Sequence, residues 1–218
     1  SIGIGAMIVF IALILVAAVA STIIIKTAEE LQQNAENTSS DTRQQISGKV
    51  SVADVYVKTT ADPLAEGAGD TDIATMEVIA RISSGSLNVQ QGDISYYISC
   101  KVTLVDEAGD PTYAVVDSGS ATAVELDGSA IAAGTELTAG TTFKFEIDLN
   151  PTDVSDTAGT GAADNDLDAG DFLSATTPGC DCEAGAGQEL ELRVVVDGGG
   201  ETLANLKIES ITLGKSIM

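Results

Sequence analysis

The sequence predicts an α+β protein in which a long apolar N-terminal α-helix is followed by an antiparallel β-sandwich. Three observations support this fold class: residues 1–25 carry no charged side chain, helical spacing of apolar residues continues beyond Lys26, and apolar and polar residues alternate after Gly48. Helices repeat every 3.6 residues and strands every two, so the change of period marks a boundary. We therefore expect a hydrophobic helix over residues 1–49 and an acidic β head over residues 50–218.

The first 25 residues are long enough to cross a bilayer, because about 20 apolar residues span its hydrocarbon core. No basic segment precedes them in this sequence, so we do not expect an intact secretory signal peptide. A helix that is apolar on every side is buried in a membrane or in a large core. Small residues recur in it and let helix backbones approach closely, namely Gly3, Gly5, Ala6, Ala12, Ala17, Ala18, Ala20 and Ser21.

Beyond Lys26 the apolar surface narrows to one stripe, which includes Ala28, Leu31 and Ala35 at three- and four-residue spacing. So narrow a stripe does not stabilise a lone helix in water, so the helix needs neighbours. A helix ending near Gly48 would be roughly 70 Å long, which exceeds a bilayer. We interpret the chain as a subunit that is stored in a membrane and then packs against copies of itself. The alternative is a single-pass anchor with a short juxtamembrane helix.

The predicted polymerisation interface consists of the large apolar residues of this helix and the two glycines at its start. The glycines would permit close approach at the inner end, and each large side chain would contribute roughly 1.5–3 kcal/mol on burial. The residues are Gly3, Ile4, Gly5, Met7, Ile8, Phe10, Ile11, Leu13, Leu15, Val16 and Leu31.

The head is predicted to be an immunoglobulin-like sandwich of short strands separated by Gly- and Asp-rich turns. Alternation is clearest from Ile94 to Leu104, where every second residue is apolar. A turn at Gly198-Gly199-Gly200 separates the two strands of a terminal hairpin. The predicted strands cover residues 50–57, 73–82, 94–105, 113–116, 143–149, 190–196 and 203–213.

The net charge is −23, and residues up to Val50 account for only −1 of it, with three basic and four acidic side chains. The head therefore repels phosphate backbones, which argues against nucleic acid as a partner. Such a surface suits salty water, and either solubility or bound cations could explain it.

The chain has no His, which is the commonest general base, and no Ser stands in a nucleophile-elbow motif. We predict no enzyme.

An acidic segment carries alternating carboxylates at Asp164, Asp166, Asp168 and Asp171. Hard oxygen donors at such spacing suit Ca²⁺, although the pattern is not that of an EF-hand. We expect a structural Ca²⁺, if one is bound, to lie here. A solvated acidic loop is the alternative, and no cofactor is required.

Two further features are candidate covalent sites. Asn37-Thr38-Ser39 is an N-glycosylation sequon, although sequons also arise by chance. The three cysteines fit one disulfide in an extracellular context, with Cys100 paired to either Cys180 or Cys182. The alternative is three thiols that serve only as small packing residues.

Residues 3–21, which read GIGAMIVFIALILVAAVAS, closely resemble the mature N-terminus of archaeal flagellins (archaellins), which belong to the type IV pilin superfamily. Gly5 stands where bacterial type IV pilins carry a glutamate, which favours the archaellin group. The resemblance implies a leader that a prepilin-type peptidase removes before Ser1, and storage of the subunit in the membrane. It also implies assembly into an extracellular helical filament, which a motor and its membrane platform rotate for swimming.

In that filament the helices would form the core and the acidic heads the outer layer. Archaellins are often N-glycosylated, which would favour a glycan on Asn37. Two alternatives stay open at this point. One is an adhesive pilus built in the same way, and the other is a membrane-anchored β domain that binds an extracellular ligand.

Overall fold

The computed structural model describes residues 2–63, 69–86, 88–103, 112–152, 154–155, 172–173 and 179–218. It divides into two compact units, Ser1–Gln44 and Gln45–Met218. Each buried hydrophobic residue among those described falls between Val50 and Ile217, so the second unit carries its own core. We therefore expect a fragment spanning residues 45–218 to fold without the helix.

The helix, α1, spans Ile2–Ser47 in one continuous run of 46 residues. Long aliphatic and Ala residues favour helix throughout its first half, and no proline interrupts it. Gly48 follows its last residue, where the sequence predicts the helix to stop. The predicted division at residues 49 and 50 thus lies between the end of α1 and the start of the first strand at Val50.

Eleven strands follow, in the described part of the chain. Seven are long enough to build the sandwich, and the other four are two-residue strands that form two short antiparallel pairs. The strands are β1 (Val50–Ala61), β2 (Asp72–Ile82), β3 (Val89–Gln90), β4 (Ile94–Thr103), β5 (Thr112–Ser120), β6 (Glu136–Leu137), β7 (Thr142–Asp148), β8 (Val154–Ser155), β9 (Phe172–Leu173), β10 (Glu189–Val196) and β11 (Glu201–Lys207). Short 3₁₀ turns lie at Gln91–Asp93 and Asp181–Glu183.

The seven long strands form two antiparallel sheets, of order β1-β2-β7 and β11-β10-β4-β5. In an immunoglobulin domain the first, second and fifth strands pair in one sheet, and the third, sixth and seventh pair in the other. This chain pairs those six strands in the same way, but its fourth long strand lies in the second sheet, whereas that of the constant-type immunoglobulin domain lies in the first. The predicted immunoglobulin-like sandwich is confirmed.

Alternating burial along the strands places one core between the two sheets. β10, for example, buries Leu190, Leu192, Val194 and Val196 and turns the intervening residues outward. The ring of Tyr96 on β4 stacks near that of Phe145 on β7, with centroids 6.2 Å apart, so the two inner faces meet directly. Phe143 and Phe145 are almost fully buried and supply the largest side chains of this core.

The last strand is shorter than its sequence pattern predicts. β11 ends at Lys207, whereas alternation predicts a strand to Leu213. Ile208 and Ile217 are both buried, and a turn with Gly214 at φ +76° returns the chain between them. Residues 208–213 are therefore part of a reversal rather than a continuation of β11.

The C-terminal residues 214–217, which we call the C-terminal strap, fasten the two sheets at one edge. Ile217 donates its N–H to Val55 of β1 (3.0 Å) and accepts from Lys207 of β11 through its carbonyl (2.8 Å). Val57 donates to Lys215 and accepts from Gly214. The edges of β1 and β11 are thus paired here instead of being left open.

Candidate polymerisation surface

The apolar half of α1 is exposed to solvent in the single chain. Each large hydrophobic residue from Ile2 to Ile25 is more than half exposed, from 53% at Ile11 to 90% at Ile2. Monomeric soluble proteins rarely expose apolar patches of more than a few hundred Å². A surface this continuous requires either lipid or other helices.

The predicted interface residues all lie on this helix. The large ones are each at least 53% exposed: Ile4, Met7, Ile8, Phe10, Ile11, Leu13, Leu15, Val16 and Leu31. They are distributed around the whole helix, so several neighbours at once would be needed to cover them. The helix Ile2–Arg43 is also long and apolar enough to cross a membrane.

Gly3 and Gly5 have no steric role within the chain itself. A Cβ added at either position would meet no atom within 4 Å. Glycine lowers helix stability by about 1 kcal/mol relative to alanine, so the single chain gains nothing from these residues. Their use is consistent with close approach of a second helix at this end.

The threonine hydroxyl groups of the helix are bonded to its own backbone. Thr22 donates to the carbonyl of Ala18 (2.9 Å), and Thr27 donates to the carbonyl of Ile23 (2.8 Å). A hydroxyl that is bonded to its own backbone can enter an apolar environment at little cost. Polar residues at the end of the apolar run are therefore compatible with burial between helices.

Cys100 on β4 is bonded to Cys180, with an S–S distance of 2.06 Å and a sequence separation of 80. Cys182 lies outside this disulfide and is half-buried. Burial raises the pKa of the Cys182 thiol to about 12, with Asp181 and Asp72 adding to the effect. Because thiolates rather than thiols react, this environment keeps Cys182 in its inert form.

A polar junction beside the disulfide was not predicted from the sequence. Asp117 on β5 is 2% exposed and accepts two hydrogen bonds from Asn150, from the backbone N–H and from Nδ2, each 2.6 Å long. Thr152 donates its N–H to Asp181 (2.6 Å) and its hydroxyl to the carbonyl of Gly179 (3.0 Å). Alternation along β5 places Asp117 inward, but no local signal identifies its partner.

This junction also requires a glycine. A Cβ at Gly179 would collide with the backbone carbonyl of Asn150. Asp181 donates its N–H to that same carbonyl (3.2 Å), so the two chain segments are held in direct backbone contact. The junction therefore joins residues 150–152 to residues 179–182 immediately beside the disulfide.

Two carboxylates lie close together at the start of β2. Ile73 donates its N–H to the carbonyl of Ala184 (3.1 Å), which places Asp72 near Glu183. Burial, and then the charge of Asp72, raises the pKa of Glu183 to about 7. Burial also raises the pKa of Asp72, helped by Asp181 and Asp62 and opposed by a hydrogen bond from Thr71.

The other predicted sites have different outcomes. Asn37 is exposed, and its sequon lies within α1, where the Thr38 hydroxyl donates to the carbonyl of Asn34 (2.8 Å). The candidate calcium ligands lie outside the described residues. Within the described part of the chain, no three acidic or cysteine side chains converge as a metal site would require.

Comparison with known proteins identifies the family. The family model for archaeal-type flagellin matches residues 1–176. Flagellin B1 of Thermoplasma volcanium is 54% identical over 54 residues, which is 25% of this chain and 22% of that protein. Flagellin B4 of Pyrococcus abyssi is 34% identical over 99 residues, which is 45% of this chain and 43% of that protein. These matches thus span less than half the length of each relative.

The fold also has a counterpart among solved structures. The archaeal flagellum of Methanospirillum hungatei strain JF1 matches with a TM-score of 0.55 over 99% of each chain. At 16% identity this likeness shows a shared fold, a long helix followed by a β domain. The matched family model covers most of the sequence, including the whole helix and much of the head, and the chain belongs to the archaeal-type flagellin family.

Proposed function

We propose that this chain is the structural subunit of an extracellular archaeal flagellum filament, the archaellum, used for swimming. Its partners are copies of itself, with the α1 helices packed as the core of a helical polymer and the acidic heads facing outward. The observation that carries the proposal is the all-round apolar surface of α1, which the single chain leaves exposed. Family membership supports the same role.

Assembly has a clear driving force. Burying a large aliphatic side chain contributes roughly 1.5–3 kcal/mol, and the helix presents many of them. In lipid these side chains are already out of contact with water, so their burial does not favour the polymer over the membrane. Packing between small residues and among several neighbours has to favour the polymer instead. Gly3 and Gly5, with open space around them, supply that close approach.

The proposal includes a membrane-inserted state before assembly, which is supported by a helix long and apolar enough to span a bilayer. From family membership alone we add a prepilin-type peptidase that matures the subunit and a motor with its platform that rotates the filament. The role is structural rather than catalytic, as expected of a filament protein, and involves no nucleic acid.

Electron microscopy of full-length protein, and of material shed from cells, tests the proposal. Helical filaments that bind an antibody raised against residues 45–218 are the expected result. Cells that lack the chain should stop swimming. Loss of attachment with normal swimming would instead indicate an adhesive pilus, and a dispersed detergent-bound monomer would leave a membrane-anchored β domain.

Two further sites are proposed from the sequence, a Ca²⁺ site in the head and a glycan on the helix. Isothermal titration of residues 45–218 with Ca²⁺, and with the Asp166→Asn variant, tests the acidic segment that also contains Asp164, Asp168 and Asp171. Weaker binding by the variant would assign any bound Ca²⁺ to this segment, and no binding, or binding that the variant leaves unchanged, would remove the site. Intact mass of the mature protein tests Asn37, since a glycan adds mass that an Asn37→Gln variant lacks.

A further inference from the structure

The outer face of the four-stranded sheet carries an exposed apolar patch. It consists of Tyr97, Val116, Val195 and Leu203, and we call it the sheet patch. Tyr97, Val116 and Leu203 are 41%, 58% and 55% exposed. Arg193 lies at its centre, directly opposite Tyr97 on β4 and Leu203 on β11. A groove of about 430 Å³ runs over this face.

The charges on this face cancel, although the head as a whole is strongly negative. Three basic and three acidic side chains point outward from its strands, namely Lys101, Arg193, Lys207, Glu189, Glu191 and Glu201. Arg193 is held between Glu191 (Nη2 to Oε1, 3.3 Å) and Glu201 (Nη1 to Oε2, 3.6 Å). A second acidic head can therefore approach here without the repulsion that the charged loops impose.

The other sheet differs in what it exposes. Its outer face carries two ion pairs: Lys144 on β7 with Glu77 on the neighbouring β2, and Lys58 on β1 with Glu146 on β7, which reaches across β2. Among the described residues, no large hydrophobic side chain on β1, β2 or β7 is exposed. An apolar contact thus fits the four-stranded sheet and not the three-stranded one.

The size of the sheet patch indicates what covers it. Three or four side chains bury on the order of a few hundred Å², whereas a stable interface between free proteins needs about 1,200–2,000 Å². A weak contact suffices when the partner is already tethered nearby, because tethering gives an effective concentration of roughly millimolar. Copies held side by side through α1 meet that condition, and a freely diffusing partner does not.

We propose that the sheet patch is the contact through which each head binds the head of a neighbouring copy in the filament. This inference rests on the proposed function, since only the polymer holds the heads close together. The contact stabilises the assembled filament and leaves the free head monomeric.

Hydroxyl-radical footprinting of full-length protein tests the contact, with filaments compared to detergent-dispersed subunits. Tyr97 should be oxidised several-fold more slowly in filaments. Tyr113 is the control, because it is also 41% exposed but lies on the opposite side of the same sheet. Equal oxidation of Tyr97 in both states, or equal protection of both tyrosines, would contradict the assignment. If the wild-type chain forms no filaments, the proposed function fails and this contact with it.

A matched pair of variants provides a second test. Leu203 and Leu126 are 55% and 53% exposed, and Leu126 lies in a turn outside the sheet patch. Filaments of Leu203→Gln should form but dissociate at a lower temperature than wild type, whereas Leu126→Gln filaments should match wild type. Unchanged dissociation of Leu203→Gln filaments would overturn the head contact and leave assembly through α1 intact.

Discussion

At the scale of single residues, the fold changes the charge of Glu183 in the range below neutral pH. Its pKa rises from 4.5 to about 7 because the side chain is buried and lies near Asp72. Between pH 4.5 and pH 7 the folded head therefore holds a proton on Glu183 that the unfolded chain has already released. The contribution of Glu183 to stability is present below this window and is lost as pH rises through it.

The Glu183→Gln variant tests this linkage, because glutamine resembles the protonated carboxyl and does not titrate. Relative to wild type, the fragment spanning residues 45–218 should gain about 1–2 kcal/mol at pH 8, a value reduced for the partial exposure of the group. The two proteins should have nearly equal stability at pH 4.5. Urea unfolding at both pH values measures the difference, and a gain that is the same at both would show that Glu183 is not the titrating group.

The disulfide is the second feature with residue-scale consequences. Closing a loop of 80 residues restricts the unfolded chain, and the expected stabilisation is about 4 kcal/mol. Replacing both Cys100 and Cys180 with serine should lower the free energy of unfolding by that order. The control, Cys182→Ser, should change it much less.

Peptide mapping without reduction checks the pairing directly. It should recover Cys100 linked to Cys180, with Cys182 carrying the remaining thiol. Because Cys180 and Cys182 fall in one peptide, fragmentation of the linked peptide has to locate the bond, and a bond from Cys100 to Cys182 would require a different arrangement of residues 179–182.

At the scale of elements, the C-terminal strap links the two sheets through backbone hydrogen bonds. Its removal would open the edges of β1 and β11 and expose the site of Ile217, which is 2% exposed. Asp54 adds a side-chain contact, since it accepts a hydrogen bond of 2.6 Å from the Ser216 hydroxyl. Such an edge closure contributes both stability and protection against strand pairing with other molecules.

Deletion of residues 214–218 should therefore destabilise the head by about 3 kcal/mol or more, from one buried isoleucine and several hydrogen bonds. Deletion of Met218 alone is the matched control, because this residue is 56% exposed. Thermal unfolding of the two fragments measures the difference. Equal stability of both would mean that the strap contributes nothing.

The helix is the element on which the proposed assembly depends. Phe10 is 65% exposed in the single chain and would be surrounded by other helices in the filament. Phe10→Asp would bury an unpaired carboxylate, at a cost of several kcal/mol per subunit. Filaments should be absent, although residues 45–218 remain folded as judged by circular dichroism.

Phe10→Leu is the control for that variant, because it keeps the side chain apolar and should preserve filaments. Normal filaments from Phe10→Asp would show that this part of α1 is not buried between subunits. Electron microscopy distinguishes the outcomes.

At the scale of the whole molecule, the dominant quantity is the net charge of −23, almost all of it on the head. Like charges at this density oppose folding and oppose contact between heads, and salt screens both effects. The structure places nearly balanced charge on the outer faces of the sheets, where ion pairs form within strands and between them. The uncompensated carboxylates therefore lie mostly in turns and loops.

Stability of the head should consequently rise with NaCl at pH 7, most steeply at low salt, and level off once the Debye length falls to a few Å near 1 M. Melting temperatures of residues 45–218 across a salt series measure this. The same series at pH 4 should be flatter, because many carboxylates are then protonated. A flat series at pH 7 would indicate that the charges are too far apart to repel.

Local sequence was enough to predict the helix and most strands. Composition predicts the apolar helix directly, because a run of 25 residues without a charged side chain has to be buried in a membrane or in a large core. Alternation determined which faces of β4, β7 and β10 are buried. The exposed apolar side chains of α1 were predictable for the same reason, because they belong to one continuous segment, and their role as an interface stays a prediction.

Only the tertiary structure decided which distant residues meet. It paired Cys100 with Cys180, joined Asp117 to Asn150, and placed Asp72 beside Glu183. It also ended β11 at Lys207 and used Ile217 to fasten both sheets. Periodicity reports which side of an element is apolar, but contacts between residues 30 to 160 positions apart depend on strand order, which no local pattern of this chain encodes.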